Sequence, residues 1–341
     1  MNSWFKNGLA NWKSIAGVIL GALIIGAAIW LSGPASLARI IEVSPLVIFL
    51  VLSLTLLLAL VSSCKWGIVL REVDPGSTYP MFALFRVVLF GLVLGLIVSL
   101  EVGSASSRIA YLSQNGKNSL ERASFSVFLD RWFDLLALAS LVLPSGLFLF
   151  RLVGPLLALC LMALPVVLLL ALSFLWPRST VFLFSLGFTG VCQFLRRLFR
   201  RRGAEAPVPG QLNFDMGRVR LLQIVGLSYA RIIILGLRSW VVMLAVGINL
   251  PHIDMLLLVP VVQLTLIVPL TPGGLGLYEA GWYGVLLLQG VSAGEGLVFV
   301  VLQRVLSAAS LLCLFTLTQS ICWLKRYCNW RSPSPQSVTR P

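Results

Sequence analysis

MLLLVPVVQLTLIVPLTPGGLGLYEAGWYGVLLLQ, residues 255–289, is apolar enough to enter a bilayer but is broken in its middle by Pro269-Leu270-Thr271-Pro272-Gly273-Gly274-Leu275-Gly276. Two prolines and three glycines in eight residues cannot continue an α-helix: Pro lacks a donor N–H and collides with the preceding turn, and Gly adds backbone freedom. The stretch therefore reads as a re-entrant hairpin. Irregular backbone at membrane depth is tolerated only where it faces protein or a water-filled cavity, which places Pro272, Gly273, Gly274 and Gly276 at an internal surface. A half-helix beginning near Leu275 to Glu279 would offer free N–H groups and the positive end of its dipole to an anion at mid-membrane depth. The competing reading is a plain kink.

The rest of the chain agrees with a membrane setting. Of 341 residues, 58% are hydrophobic and 11% charged, against roughly 25% charged in a soluble domain. The apolar residues fall in long runs, which excludes a soluble enzyme, a disulfide scaffold and a disordered tail protein. Candidate full spans are Ile15 to Leu31, Leu46 to Ser63, Ala123 to Phe150, Leu152 to Trp176, Leu221 to Gly247 and Leu297 to Trp323. Val87 to Leu100 is too short to cross and runs into the polar stretch Glu101 to Arg108, so it reads as a second re-entrant hairpin. The expected fold is an all-α polytopic membrane protein with six spans and two opposed hairpins. Residues 1–326 form one membrane domain, with a basic interfacial segment at 178–220, and residues 327–341 form a disordered tail. Neither the six cysteines nor the single histidine, His252, has a metal-site or triad pattern, so no metal or cofactor is expected.

The net charge of +14 has two common sources, a nucleic-acid surface and the cytoplasmic face of a bilayer. With the first hairpin returning to the cytoplasm and the second to the opposite side, 20 of the 26 basic residues are cytoplasmic, Lys65, Arg108 and Lys117 among them. Only Arg39 and Arg151 fall outside. This is the positive-inside pattern, and it puts both termini in the cytoplasm and makes nucleic acid an unneeded partner. Arg196 to Arg202 reads as the solvated flank of an interfacial helix or as a contact for anionic headgroups. Span, hairpin and span then occur twice with opposite orientation, an inverted repeat of the kind that places a transport site near the midplane.

Arg131, Asp134, Arg231, Arg238, Glu279 and Arg304 lie inside apolar stretches. A charge there costs roughly 2.5 to 3.5 kcal/mol on insertion scales, so it faces the bundle interior and is paired or functional. Asp134 follows Arg131 by three positions, which allows local neutralisation. Arg231 and Arg238 share a helical face and have no acid nearby in sequence. They either bind a phosphate, which a guanidinium takes in a bidentate manner, or are paired by Glu279, Asp134 or Glu101.

Pro272-Gly273-Gly274-Leu275-Gly276 with Glu279, Gly290-Val291 and Arg304 resembles the C-terminal signature of the lysylphosphatidylglycerol synthase transmembrane-region family. Arg108, Leu112, Gly116, Ala123, Arg131 and Asp134 are similar to that family's earlier motif. The Pro-Gly and Gly-Glu that family members commonly carry before the residue aligned with Arg108 are replaced here by Leu100-Glu101 and Ser104-Ala105. The resemblance implies a bacterial inner-membrane, flippase-like protein that moves an anionic, aminoacylated or polyprenyl-linked lipid. Arg108, Arg131, Arg231, Arg238 and Arg304 are then headgroup contacts, and Asp134, Glu279 and Glu101 their charge partners. Expected partners are anionic membrane lipids and envelope-biosynthesis enzymes. Two alternatives stay open: a membrane-embedded enzyme of lipid-linked glycan synthesis, for which the scattered acids give no catalytic cluster, and an accessory subunit.

Overall fold

The computed structural model describes residues 42–74, 78–114, 120–175, 216–266, 274 and 276–331, and among these it contains nine α-helices and no strand. They are α1 (Pro45–Val73), α2 (Met81–Ile97), α3 (Leu100–Gln114), α4 (Leu120–Leu149), α5 (Pro155–Leu175), α6 (Arg218–Val246), α7 (His252–Leu264), α8 (Leu277–Leu288) and α9 (Ala293–Arg331). The expected first span, the Arg196 to Arg202 segment, Lys117, Pro272 and Gly273 lie outside the described residues.

Helices α1, α4, α5, α6 and α9 are long and apolar enough to cross a membrane, and α2 and α7 are apolar but shorter. The chain is a multi-pass, all-α membrane protein. At about 1.5 Å per residue, the 29 residues of α1 exceed a hydrocarbon core of roughly 30 Å. Local chemistry sets the ends. Ser44 caps α1, its hydroxyl accepting from the Val47 N–H, and Pro45 fills the first turn where no donor is needed. Gly247, at φ 86°, closes α6 in the left-handed conformation. Ser292 caps α9, its hydroxyl accepting from the Glu295 N–H and donating to the Glu295 carboxylate. Helix α9 continues to Arg331, past the Tyr327 boundary expected for the tail.

The first hairpin is helical on both limbs. Two residues, Val98 and Ser99, join α2 to α3, and the Ser99 hydroxyl accepts from the Val102 N–H to start α3. The polar stretch that looked like a loop in sequence is the second limb. Its antiparallel packing is at backbone contact: a Cβ added at Gly103 would collide with Gly95 N and lie 2.7 Å from Gly95 Cα, and one at Gly91 would lie 2.9 Å from Ser104 Cα. Gly91 and Gly95 are a GxxxG pair, the spacing that lets helices approach closely in lipid, where apolar burial alone gives no drive to associate.

Helix packing repeats in two halves that match the two units of the expected repeat. One repeat is α1 to α4 and the other α6 to α9, each ordered long, short, short, long. The two leading helices, α1 and α6, pack on each other. Each hairpin's first limb packs on the last span of the other repeat, α2 on α9 and α7 on α4, and each leading helix touches the other repeat's last span. Counted from their helix starts, Lys65 in α1 and Arg238 in α6 hold the same position, as do Arg131 in α4 and Arg304 in α9. Helix α5, packed on α4, α6 and α7, stands outside the repeats. Trp282 and Phe299, in edge contact at 5.3 Å, help fill the main core, whereas Leu156, Leu157, Leu164, Val167 and Leu168 of α5 are exposed to the surroundings.

Candidate functional site

The site is built where the two repeats meet, and it starts from a lysine. Lys65, expected in a cytoplasmic loop because the apolar run ends at Ser63, is instead an interior residue of α1 with 1% exposure. Helix α1 runs on to Val73, which carries Lys65 into the bundle. Its ammonium donates to the Asp130 carbonyl at 2.9 Å, lies 3.2 Å from the Asp130 carboxylate, and also pairs with Asp134. Asp130 and Asp134 are four apart on α4 and so share a face.

Two further helices, α3 and α6, converge on that acidic face. Arg108 of α3, 2% exposed, pairs with Asp130 while its guanidinium stands 5.0 Å above the Trp66 ring, an attraction to the ring's negative face. It too was expected on the cytoplasmic side, and it is buried for the same reason as the polar limb that carries it. Arg231 of α6 pairs with Asp134. Arg131 departs from the expected local pairing: Asp134 is 3.9 Å away, whereas Glu101 of α3 is at 3.1 Å and the Ser104 hydroxyl accepts at 2.6 Å. Of the expected partners for Arg231, Asp134 is the one that pairs with it.

The second hairpin contributes a separate pair. Glu279 accepts from the Gly276 N–H at 2.7 Å and lies 3.6 Å from Arg304 of α9. The chain's own carboxylate thus occupies the start of α8, where a ligand anion was the expectation. Gly276, at φ 84°, and Gly274, at φ 68°, adopt the left-handed backbone that makes this turn. Replacing Glu279 with Ala is expected to lower the thermal midpoint in detergent by removing this cap and the Arg304–Glu279 ion pair, an effect of about 1 to 3 kcal/mol.

Arg238 stands apart. It is 8% exposed, no described carboxylate pairs with it, and its hydrogen-bonding neighbour is Tyr278. Together with Lys65, Arg108, Arg131, Arg231 and Arg304 it lines a cavity of about 110 Å³. A second cavity of about 250 Å³ shares Arg131, Asp134 and Arg231 as a common wall; Glu101, Ser228 and Gln263 also line it, and the rest of its lining is apolar, including Phe128, Trp132, Leu135 and Leu138. Six cations are therefore met by four carboxylates, Glu101, Asp130, Asp134 and Glu279, among the described residues. The surplus is positive, in a place where an uncompensated charge costs several kcal/mol. Such a site attracts an anion, and the adjoining apolar wall suits a hydrocarbon tail.

Reading the sequence alone missed Asp130 and misplaced Lys65. Asp130 carried a signal, since it precedes Asp134 by one helical turn in an apolar run.

A family model described as the lysylphosphatidylglycerol synthase TM region matches residues 16–314. No curated protein matches the chain. The match covers most of the 341 residues, and the chain belongs to that family, whose members are membrane proteins concerned with lipids.

Proposed function

We propose that this member of the lysylphosphatidylglycerol synthase transmembrane-region family moves a lipid with an anionic headgroup across the bacterial inner membrane. The observation that carries the reading is the surplus of buried cations around a cavity at the junction of the two repeats. A headgroup phosphate would complete the charge there, and the apolar wall beside it would shelter the acyl chains. Two inverted halves with a shared site between them are suited to opening it to one side and then the other. Arg238, Arg231 and Arg304 receive the headgroup. Asp130 and Asp134 hold the other cations in place rather than exchanging with the lipid. The work assigned to these residues is binding and passage, without a chemical step.

The test is reconstitution into vesicles with a fluorescent anionic lipid. The wild-type chain is expected to move it faster than protein-free vesicles do. Arg304→Ala, which loses one charge-assisted contact to the headgroup, and Glu279→Ala, which loses the carboxylate that positions Arg304 and the Gly276 turn, are each expected, with correct folding verified by thermal unfolding, to slow it by about tenfold or more. Unchanged movement in both variants would remove those two residues from the site. Both termini and the turn near Lys117 are assigned to the cytoplasm by the basic residues of the loops. A reporter fused near Lys117 is expected to be cytoplasmic, and a periplasmic result would make the first hairpin a true crossing.

A further inference from the structure

We infer that a third cavity, between α1, α2 and α6, holds the phosphate of an anionic phospholipid from the surrounding leaflet as a fixed ligand that is not carried across. Its volume is about 350 Å³, larger than either charged cavity and within the range of about 300 to 1,000 Å³ usual for ligand sites. Its walls share no residue with theirs. Behind it Trp66, Leu70, Leu84 and Val88 pack as a buried apolar cluster, which closes it off from the charged site. The inference therefore stands whether or not the charged cavities move lipid.

The wall changes from apolar to cationic along one face of α1. Cys64, Ile68 and Arg71 line it at successive turns of that helix. Arg71 stands in the last turn of α1, the end that the basic loops assign to the cytoplasm. Both acids beside it are engaged: Glu72 pairs with Arg220, and Asp74 accepts from the Tyr79 hydroxyl at 3.0 Å. No described residue pairs with Arg71, and Gln223, which lines the cavity from α6, has no described hydrogen-bond partner. A guanidinium takes two phosphate oxygens at once, and an amide can turn its NH₂ group to a third. Farther in, Ile68, Met81 and Leu84 give apolar surface for the start of an acyl chain. Gly67 keeps that floor open, since an added Cβ would come 3.1 Å from Leu84 Cδ1. A basic pocket between helices near the membrane surface suits an anionic headgroup. Phosphatidylcholine, with a cation beside its phosphate, gains less from Arg71.

Cys64, exposed on the cavity wall, reports occupancy. The full chain is placed in nanodiscs of phosphatidylcholine with or without phosphatidylglycerol, alkylated with membrane-permeant N-ethylmaleimide, and read at each cysteine by peptide mass spectrometry. Cys160, exposed on α5 and lining none of the three cavities, is the internal reference. Phosphatidylglycerol is expected to slow alkylation of Cys64 about fivefold relative to Cys160, the worth of one basic residue at an anionic headgroup. Arg71→Gln, at an exposed position, is expected to abolish that slowing and to leave whatever transbilayer movement the wild type shows unchanged. Arg238→Gln is expected to keep the slowing. Millimolar glycerol phosphate in phosphatidylcholine discs is expected to give none; slowing there would overturn lipid as the source of the phosphate. Equal alkylation of Cys64 with and without phosphatidylglycerol, or protection that survives Arg71→Gln, would overturn the inference. Protection lost in Arg238→Gln would place the lipid in the charged cavity, and slower lipid movement in Arg71→Gln would make it cargo; either result overturns a fixed ligand. The comparison of the two lipids uses the wild-type chain and decides even where a variant does not fold.

Discussion

Asp130→Ala is expected to destabilise the protein by about 3 to 5 kcal/mol, the cost of breaking a buried ion pair from one side. Its carboxylate is the partner of Arg108, and it shares Lys65 with Asp134. Deleting it leaves a guanidinium with 2% exposure and no carboxylate within ion-pair distance among the described residues. Lys65→Met provides the contrast. Asp130 keeps Arg108 and Asp134 keeps Arg231, so no carboxylate is orphaned. Met fills similar volume, and volume-conserving swaps usually cost below about 1.5 kcal/mol. Thermal unfolding of both variants in detergent measures the difference. Equal losses would mean that Lys65, rather than Asp130, organises the cluster.

The second large effect is expected at Gly103. A Cβ there meets the backbone of Gly95 and the Gly91 carbonyl oxygen at 2.8 Å or less, and backbone atoms cannot rotate away as a side chain can. Gly103→Leu is expected to force α2 and α3 apart at a cost at or above the usual 1 to 3 kcal/mol of an overpacked core. The separation would also draw Arg108 and Glu101, both on α3, away from α4, so lipid movement is expected to be lost along with stability. Gly226→Ala is the control. It sits inside α6 with nothing within 4 Å of an added Cβ, and Ala in a helix interior is about 0.5 to 1 kcal/mol better than Gly. A Gly103→Leu variant as stable as the control would refute close packing of the first hairpin.

What the sequence made legible followed from periods and breaks. The run at Leu221 to Gly247 became α6 within a few residues, and the Pro and Gly cluster at 269–276 did interrupt the second hairpin. The alternation of spans and hairpins was also enough to expect two corresponding halves, and the pairwise helix packing is repeated between them. Lys65 was not legible, because apolarity marks where a helix enters lipid and not where the helix ends. Helix α1 extends ten residues beyond the apolar run at Ser63, and a charge in that extension is buried by neighbours from α4 and α6 rather than by its own sequence context. The partner of Arg131 was hidden for a related reason. Sequence spacing offered Asp134, but the turn at Val98 and Ser99 folds Glu101 back onto α4. Pairings across helices depend on tertiary register, to which local spacing is blind.

Transbilayer movement of labelled phosphatidylglycerol in proteoliposomes, wild type beside Arg238→Gln, bears most directly on the charged cavity as a lipid pathway. Arg238 has no described carboxylate to release, so its loss removes a binding cation without orphaning an acid. The expected result is movement well above protein-free vesicles for wild type and a rate about tenfold or more lower for Arg238→Gln, with the thermal midpoint unchanged or raised. A variant that folds and moves the lipid at the wild-type rate would contradict passage through this cavity.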